Sequence, residues 1–241
     1  MNAVPPKPDP LDNINVLIIN YKTPNLTLKC AQSFLSHYPT VKVLLIDNGS
    51  NDASIEVIQQ LAQQHDSVNY ILNDSNLHHG PAMHQGIVKI KTPFLFTLDS
   101  DSEVTQAGFL EEMLVFFADP RLYATGRLQH KNKLGYPAKY QLLGHVKYIA
   151  PNAMLLDREK YLSLPFFTYH GAPCLKNMAT AEKIGYKVRE FPIEDFINHH
   201  GRWTCSRYGY ALGPRSYFDH FVNKILQIGP TIDLPPGARA E

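Results

Sequence analysis

Pro93-Phe94-Leu95-Phe96-Thr97-Leu98-Asp99-Ser100-Asp101 is an apolar run that stops abruptly on two carboxylates. It is too short for a buried helix and reads as a strand covered on both faces, as in a parallel sheet. Upstream the same pattern recurs in Ile14 to Asn20 (INVLIIN), Val41 to Ile46 (VKVLLI) and Val68 to Leu72. Between these runs lie segments of helical period. Leu28, Ala31, Phe34 and Leu35 share a face in Leu26 to His37, and Ile55, Ile58, Leu61 and Ala62 share one in Ser54 to Gln64. Pro81 to Lys91 follows, with proline in its first turn. Strand, loop and helix in alternation predict an α/β fold with a mostly parallel central sheet and helices on both faces. Ligands of such sheets bind beyond the carboxyl ends of the strands. Asn20, Asp47, the loop around Asn76, and Asp99 all fall there.

Downstream the pattern loosens. Phe109 to Ala118 reads as a helix and Tyr123 to Leu128 as a strand, with Asn132 to Leu143 irregular. Tyr148 to Leu156 (YIAPNAMLL) reads as a strand interrupted by Pro151. A helix over Lys176 to Ile184 ends at Gly185, in the position of a C-terminal cap. Tyr186 to Phe191 is a further strand, and His199 to Arg207 a polar, aromatic and basic loop.

The bulk numbers exclude several classes. In 241 residues, 44% hydrophobic, there is material for a substantial core. Lys and Arg number 23 against 22 Asp and Glu, a balance without the global signature of a nucleic-acid or anionic-membrane binder. Cys30, Cys174 and Cys205 are far apart and lack CxxC spacing, so idle thiols in a reducing compartment are expected. The stretch before Asp12, with Pro5, Pro6, Pro8 and Pro10, has no apolar core of a secretory leader. No run approaches the length of a membrane span. A cytoplasmic location is expected, with a lipid-linked substrate still allowed.

Asp99 and Asp101, one residue apart beyond a strand, can approach one hard cation or divide between cation and ribose; such ions take oxygen ligands and complete their shell with phosphates. The alternative is a solvated loop with helix-capping aspartates. Asp47-Asn48-Gly49-Ser50 with Asp52 can hydrogen-bond a base or ribose, but is also ordinary turn chemistry. Asn76, His78, His79 and Gly80 lead into a helix whose free N-terminal amides suit phosphate.

These blocks carry a resemblance. Ile18-Ile19-Asn20-Tyr21, Ile46 to Asp52, Asn76 to Gly80 and Phe96 to Asp101 follow the order and spacing of family 2 glycosyltransferases with the GT-A fold. The resemblance is close over 14–105 and looser beyond. It implies a Pro-rich extension at 1–13, one GT-A-like catalytic domain at 14–213 with a nucleotide-binding half (14–105) and an acceptor half (106–213), and a tail at 214–241. It implies a sugar moved from a nucleoside diphosphate, UDP being the commonest in the family, to a hydroxyl on a glycan, a lipid-linked molecule or a small molecule. Asp47 then matches the residue that contacts the nucleobase, with Asn20-Tyr21 flanking it and Asn76 on the phosphate side. Asp99 matches the acid facing ribose and metal, and Asp101 the ligand of Mn²⁺ or Mg²⁺. A late histidine, His199 or His200, completes the metal shell. Arg202 or Arg207 pairs with the diphosphate, and Tyr208-Gly209-Tyr210 is a candidate lid.

One departure stands out. Inverting members carry an acidic pair ahead of the helix ending in Gly-Tyr, and here Pro173-Cys174 takes that place. His170 is a candidate general base, Glu194 or Asp195 another, and retention of configuration without such a base a third possibility. Two other functions compete. A nucleotidyltransferase should carry a Gly-rich, basic loop after the first strand, where this chain has Asn20-Tyr21-Lys22-Thr23-Pro24. A non-catalytic nucleotide-sugar binding protein is the other.

Overall fold

A computed structural model describes residues 9–133, 135, 137, 144–168 and 172–200. In chain order the strands are β1 (Ile14–Asn20), β2 (Lys42–Asp47), β3 (Val68–Leu72), β4 (Phe94–Asp99), β5 (Ser102–Val104), β6 (Leu122–Lys131), β7 (Val146–Asp157), β8 (Lys187–Glu190) and β9 (Ile197–His199). The helices are α1 (Pro24–His37), α2 (Ser54–Gln64), α3 (His79–Lys89), α4 (Phe109–Val115), α5 (Arg158–Leu162) and α6 (Leu175–Lys183). Short 3₁₀ turns cover Phe116–Ala118 and Ile193–Asp195.

Among the described residues, seven strands form one sheet in the order β3-β2-β1-β4-β7-β6-β8, and β5 pairs with β9 in a second, two-stranded sheet. All neighbours in the large sheet are parallel except at β7, which runs against both β4 and β6. The expected mostly parallel α/β sheet is therefore present. Its two faces follow from the alternation of side chains along a strand. Ile14, Val16 and Ile18 pack with Ala31 and Phe34 of α1 and Ile58 and Leu61 of α2. Leu17 points the other way, to Met83 and Ile87 of α3, in a core continued by Met178 and Ala181 of α6.

Register then sets the strand ends. Asn20 lies beside Asp47, and Ile19 beside Asp99, so β1, β2 and β4 finish along one edge of the sheet. Two close approaches shape the loops there. A Cβ on Gly49, whose φ is 77°, would lie 2.4 Å from the Ser75 carbonyl carbon. One on Gly80 would lie 2.6 Å from that of Thr168. Only glycine fits either position.

The strand through Pro151 is continuous, not interrupted as its proline predicted. Gly126 pairs with Met154 but Leu128 pairs with Ile149, so Arg127 stands opposite Ala150–Ala153. Pro151 therefore sits where β6 asks for no ladder hydrogen bond, and its carbonyl accepts from Thr97 Oγ1 at 2.6 Å on the β4 side. The Phe109 to Ala118 helix is also shorter than expected and passes into a 3₁₀ turn at Phe116. His199, read as loop, closes β9.

Candidate functional site

At the end of β1 the amide of Asn20, fully buried, ties three segments together. Its Nδ2 donates to Asp47 Oδ1 at 2.7 Å and Ser50 Oγ at 3.1 Å. Its Oδ1 accepts from Thr27 Oγ1 at 2.7 Å and Thr23 Oγ1 at 2.9 Å. Asp47 is as deeply placed, at 1% exposure, and also accepts from the Ser50 backbone N–H at 2.9 Å and from Ser50 Oγ at 2.6 Å. These side chains organise the loop and spend most of their hydrogen-bonding capacity on it.

The next station is held by an amide network. Asn48 Nδ2 donates to Asn76 Oδ1 at 3.0 Å, and Asn48 Oδ1 accepts from Asn73 Nδ2 at 3.2 Å and the Leu77 N–H at 3.1 Å. The Asn76 oxygen accepts in addition from the His78 N–H at 2.7 Å. Asn76 thus braces the entry to α3 against the loop after β2. The density of asparagine in 48–76 was the available signal for this network, and turn chemistry alone did not predict its connections. Tyr21 follows Asn20 at the end of β1, its ring 5.4 Å from Lys22 Nζ.

Beyond β4, Asp99 and Asp101 meet a residue from almost a hundred positions later. β5 pairs antiparallel with β9, setting Ser102 opposite His199, and the His200 N–H donates to the Asp101 carbonyl at 3.0 Å. His199 Nε2 consequently lies 3.1 Å from Asp101 Oδ1 and 3.5 Å from Asp99 Oδ2. One ligand atom from each of the three residues falls within 4.8 Å of the others. Successive strand side chains point to opposite faces, so His200 turns away, its Nε2 3.3 Å from Glu103 Oε2. His79, at the start of α3, approaches from the other side, 3.8 Å from Asp99 Oδ1.

Burial disfavours charge on His199, but hydrogen bonds to Asp101 and Asp99, and their charges, outweigh it and push its pKa up to about 10. The imidazolium thus balances two carboxylates. Two oxygen donors and an imidazole this close together form a donor set that suits a divalent cation. Below, Cys30 is fully buried and donates to the Asp99 carbonyl at 3.3 Å. Burial, with the Asp101 charge, pushes its thiol up and leaves it inert.

The half of the chain expected to face the acceptor differs. Cys174, in the place of the expected acid, is fully buried ahead of α6, and burial pushes its thiol up as well. Glu194, in the 3₁₀ turn before β9, lies 3.0 Å from Arg127 Nε. Both line a cavity of about 380 Å³ with Asn152, Asn198, His199 and His200. His170, Arg202, Arg207 and the Tyr208 to Tyr210 segment lie outside the described residues, as does Cys205.

The sequence profile of Glycosyl transferase family 2 matches residues 15–180, which take in the strands β1 to β7, the loops after β1 and β2 and the acidic triplet, while β8, β9 and His199 lie beyond the match. The chain belongs to this family. Among curated relatives, it is 23% identical over 187 residues to the poly-beta-1,6-N-acetyl-D-glucosamine synthase of Staphylococcus epidermidis, covering 77% of this chain and 44% of that one. With the synthase of Staphylococcus aureus (strain MSSA476) it shares 24% over 206 residues, 85% of this chain and 48% of the other. The chain spans less than half the length of either. Solved structures agree on the GT-A fold. The mannosyltransferase PcManGT from Pyrobaculum calidifontis, in complex with GDP-Man and Mn²⁺, superposes with a TM-score of 0.62 at 15% identity, over 75% of this chain and 55% of its own. S. aureus TarS 1–349 in complex with UDP-GlcNAc gives 0.59 at 10% identity, over 88% and 65%.

Proposed function

We propose that this chain is a glycosyltransferase that moves a hexose from a nucleoside-diphosphate donor, UDP-linked in the favoured reading, to a hydroxyl acceptor. The observation that carries the proposal is the Asp99, Asp101 and His199 cluster at the carboxyl edge of the sheet in a family 2 chain. These three residues would hold a divalent cation, Asp99 also facing the donor ribose. A bound cation supplies Lewis-acid stabilisation to the diphosphate as it leaves. The Asn20, Asp47 and Ser50 network keeps the base-side loop rigid, so little entropy is lost when the nucleotide docks. The N-terminal amides of α3, braced through Asn76, face the phosphate side. An imidazole ligand beside two carboxylates favours Mn²⁺ over Mg²⁺, which takes one or two carboxylates and retains its waters.

A thermal-shift comparison of UDP-GlcNAc and GDP-mannose with and without Mn²⁺ tests the reading. A ligand at about 100 times its Kd adds roughly 2.7 kcal/mol, or about 5–10 °C for a domain of this size. The expected result is a shift of that order only with metal and sugar nucleotide together. No shift with any nucleotide sugar and Mn²⁺ would remove the proposal. The buried Cys174 motivates a second reading, a nucleotide-sugar binding protein without transfer. Mn²⁺-dependent release of free nucleotide separates the two.

His199 gives the site a pH dependence. Its folded pKa of about 10 lies above the ordinary 6.5. In the metal-free protein its ion pairs therefore contribute full stability below about pH 6.5, and that contribution is lost as pH rises through 10. Metal binding needs the neutral ring, so Mn²⁺ at pH 7.5 should displace about one proton. Calorimetry in buffers of different ionisation enthalpy should show that proton in the wild type and in His200→Ala, and lose it in His199→Ala. Equal proton release by all three proteins would take His199 out of the metal shell.

A further inference from the structure

The cavity beside His199 owes its shape to two irregularities facing each other. On β6 the register slips between Gly126 and Leu128. Gly126 has a φ of 150°, and a Cβ there would lie 2.7 Å from the Ala153 carbonyl oxygen. Such bulges re-aim a side chain, and are common next to active sites. Here the re-aimed side chain is Arg127. On β7 the stretch Ala150–Ala153 has no paired partners on β6, and Asn152 from it lines the cavity. The Phe191 N–H donates to the Gly126 carbonyl at 2.8 Å, which fixes the segment leading to Glu194 against the bulge. The Arg127 guanidinium holds the Glu194 carboxylate at 3.0 Å, and both side chains stay open to the cavity, 40% and 54% exposed.

Cys174 cannot take a proton from an acceptor hydroxyl, because it is buried and its thiol is pushed up. Glu194 is a carboxylate with an open face, in a cavity of about 380 Å³ that shares His199 with the cation cluster. Asn152 and Asn198 add amide groups able to bond hydroxyls. We infer that this cavity receives a hydroxyl-rich acceptor, and that Glu194, positioned by Arg127, accepts the proton of the attacking hydroxyl in place of the carboxylate absent at Cys174. The inference rests on the glycosyltransferase reading. In the step, the acceptor oxygen forms its bond to the sugar's anomeric carbon and its proton passes to a Glu194 carboxylate oxygen. The bond from that carbon to the diphosphate breaks, and its electron pair leaves with the nucleoside diphosphate. Attack opposite the leaving group inverts the configuration.

Water serves as the probe nucleophile, so the natural acceptor need not be known. Mn²⁺-dependent release of UDP from UDP-GlcNAc, or of GDP from GDP-mannose, is measured for wild type, Glu194→Gln and Glu194→Ala. Calorimetric affinity for the nucleotide with Mn²⁺ is measured in parallel. The expected result is a fall in kcat of about 100-fold or more in both variants, with nucleotide affinity unchanged. Sodium formate should restore part of the rate to Glu194→Ala by placing a small carboxylate in the emptied cavity. Arg127→Ala should also lose rate, and Arg127→Lys should recover part of it, because a point charge can still hold the carboxylate. Variants within about three-fold of wild type overturn the inference. So does a loss of nucleotide affinity in step with rate, whereas a wild type that binds donor but releases no nucleotide is the binding protein without transfer and overturns the glycosyltransferase reading. A wild type that binds no nucleotide with Mn²⁺ overturns the glycosyltransferase reading itself.

Discussion

Replacing Asp101 with alanine is expected to lower Mn²⁺-dependent nucleotide affinity by at least about 100-fold while the chain remains folded. The lower bound comes from residues that merely orient metal ligands, whose loss already costs about 10–100-fold. Asp101 stands nearer. Its Oδ1 is 3.1 Å from His199 Nε2, and its hydrogen bond is the largest of the influences that raise the His199 pKa. Removing it takes an oxygen donor from the cluster and releases the imidazole from its orientation. The same substitution gives up the ion pair with His199 but leaves the backbone ties between the two segments. The Asp101 backbone still accepts from the His200 N–H, and that bond, with the β5–β9 pairing, keeps the two segments together. Calorimetry with Mn²⁺ and nucleotide reads the affinity, and thermal unfolding reads the fold, with a lower Tm but a single cooperative transition expected. Unchanged affinity would exclude Asp101 from the site.

The second large effect belongs to Asn20, and it falls on stability. Asn20→Ala removes two donors and an acceptor from a fully buried position. The Asp47 carboxylate loses its contact with β1, and the hydroxyls of Thr23 and Thr27 lose the oxygen to which they donate. Orphaned buried polar groups cost about 1–3 kcal/mol each, more where one is charged. A total near 3 kcal/mol is expected after relaxation, or a Tm lower by about 6–12 °C. Asn20→Asp should be worse, since it sets a second carboxylate against Asp47 within hydrogen-bonding distance. A Tm within 2 °C of wild type for Asn20→Ala would mean that water replaces the amide and that the network is not a support.

Much of the fold was legible because each early strand is a short apolar run ending on a polar residue, and each helix shows its own period. Local pattern suffices where strand, helix and loop alternate regularly. It failed at Pro151, which a strand interior should exclude, because the missing pairing on β6 is a property of another segment. It was blind to β5, whose three residues are too few to show a period.

By itself the sequence determined the α/β sheet, the strand ends that carry Asn20, Asp47 and Asp99, and the four ordered blocks that mark the family. Each is a matter of local period or fixed spacing along the chain. Tertiary structure alone decided which of His199 and His200 faces the acidic pair, because that depends on the register of β9 against β5. It alone turned Asp47 inward to a loop network, through contacts with Asn20, 27 positions earlier. It also aimed Arg127 at Glu194, by a register slip that leaves no trace in hydrophobic period. Side chains brought together by pairing across the chain obey the geometry of the partner strand, and that geometry is written elsewhere in the sequence.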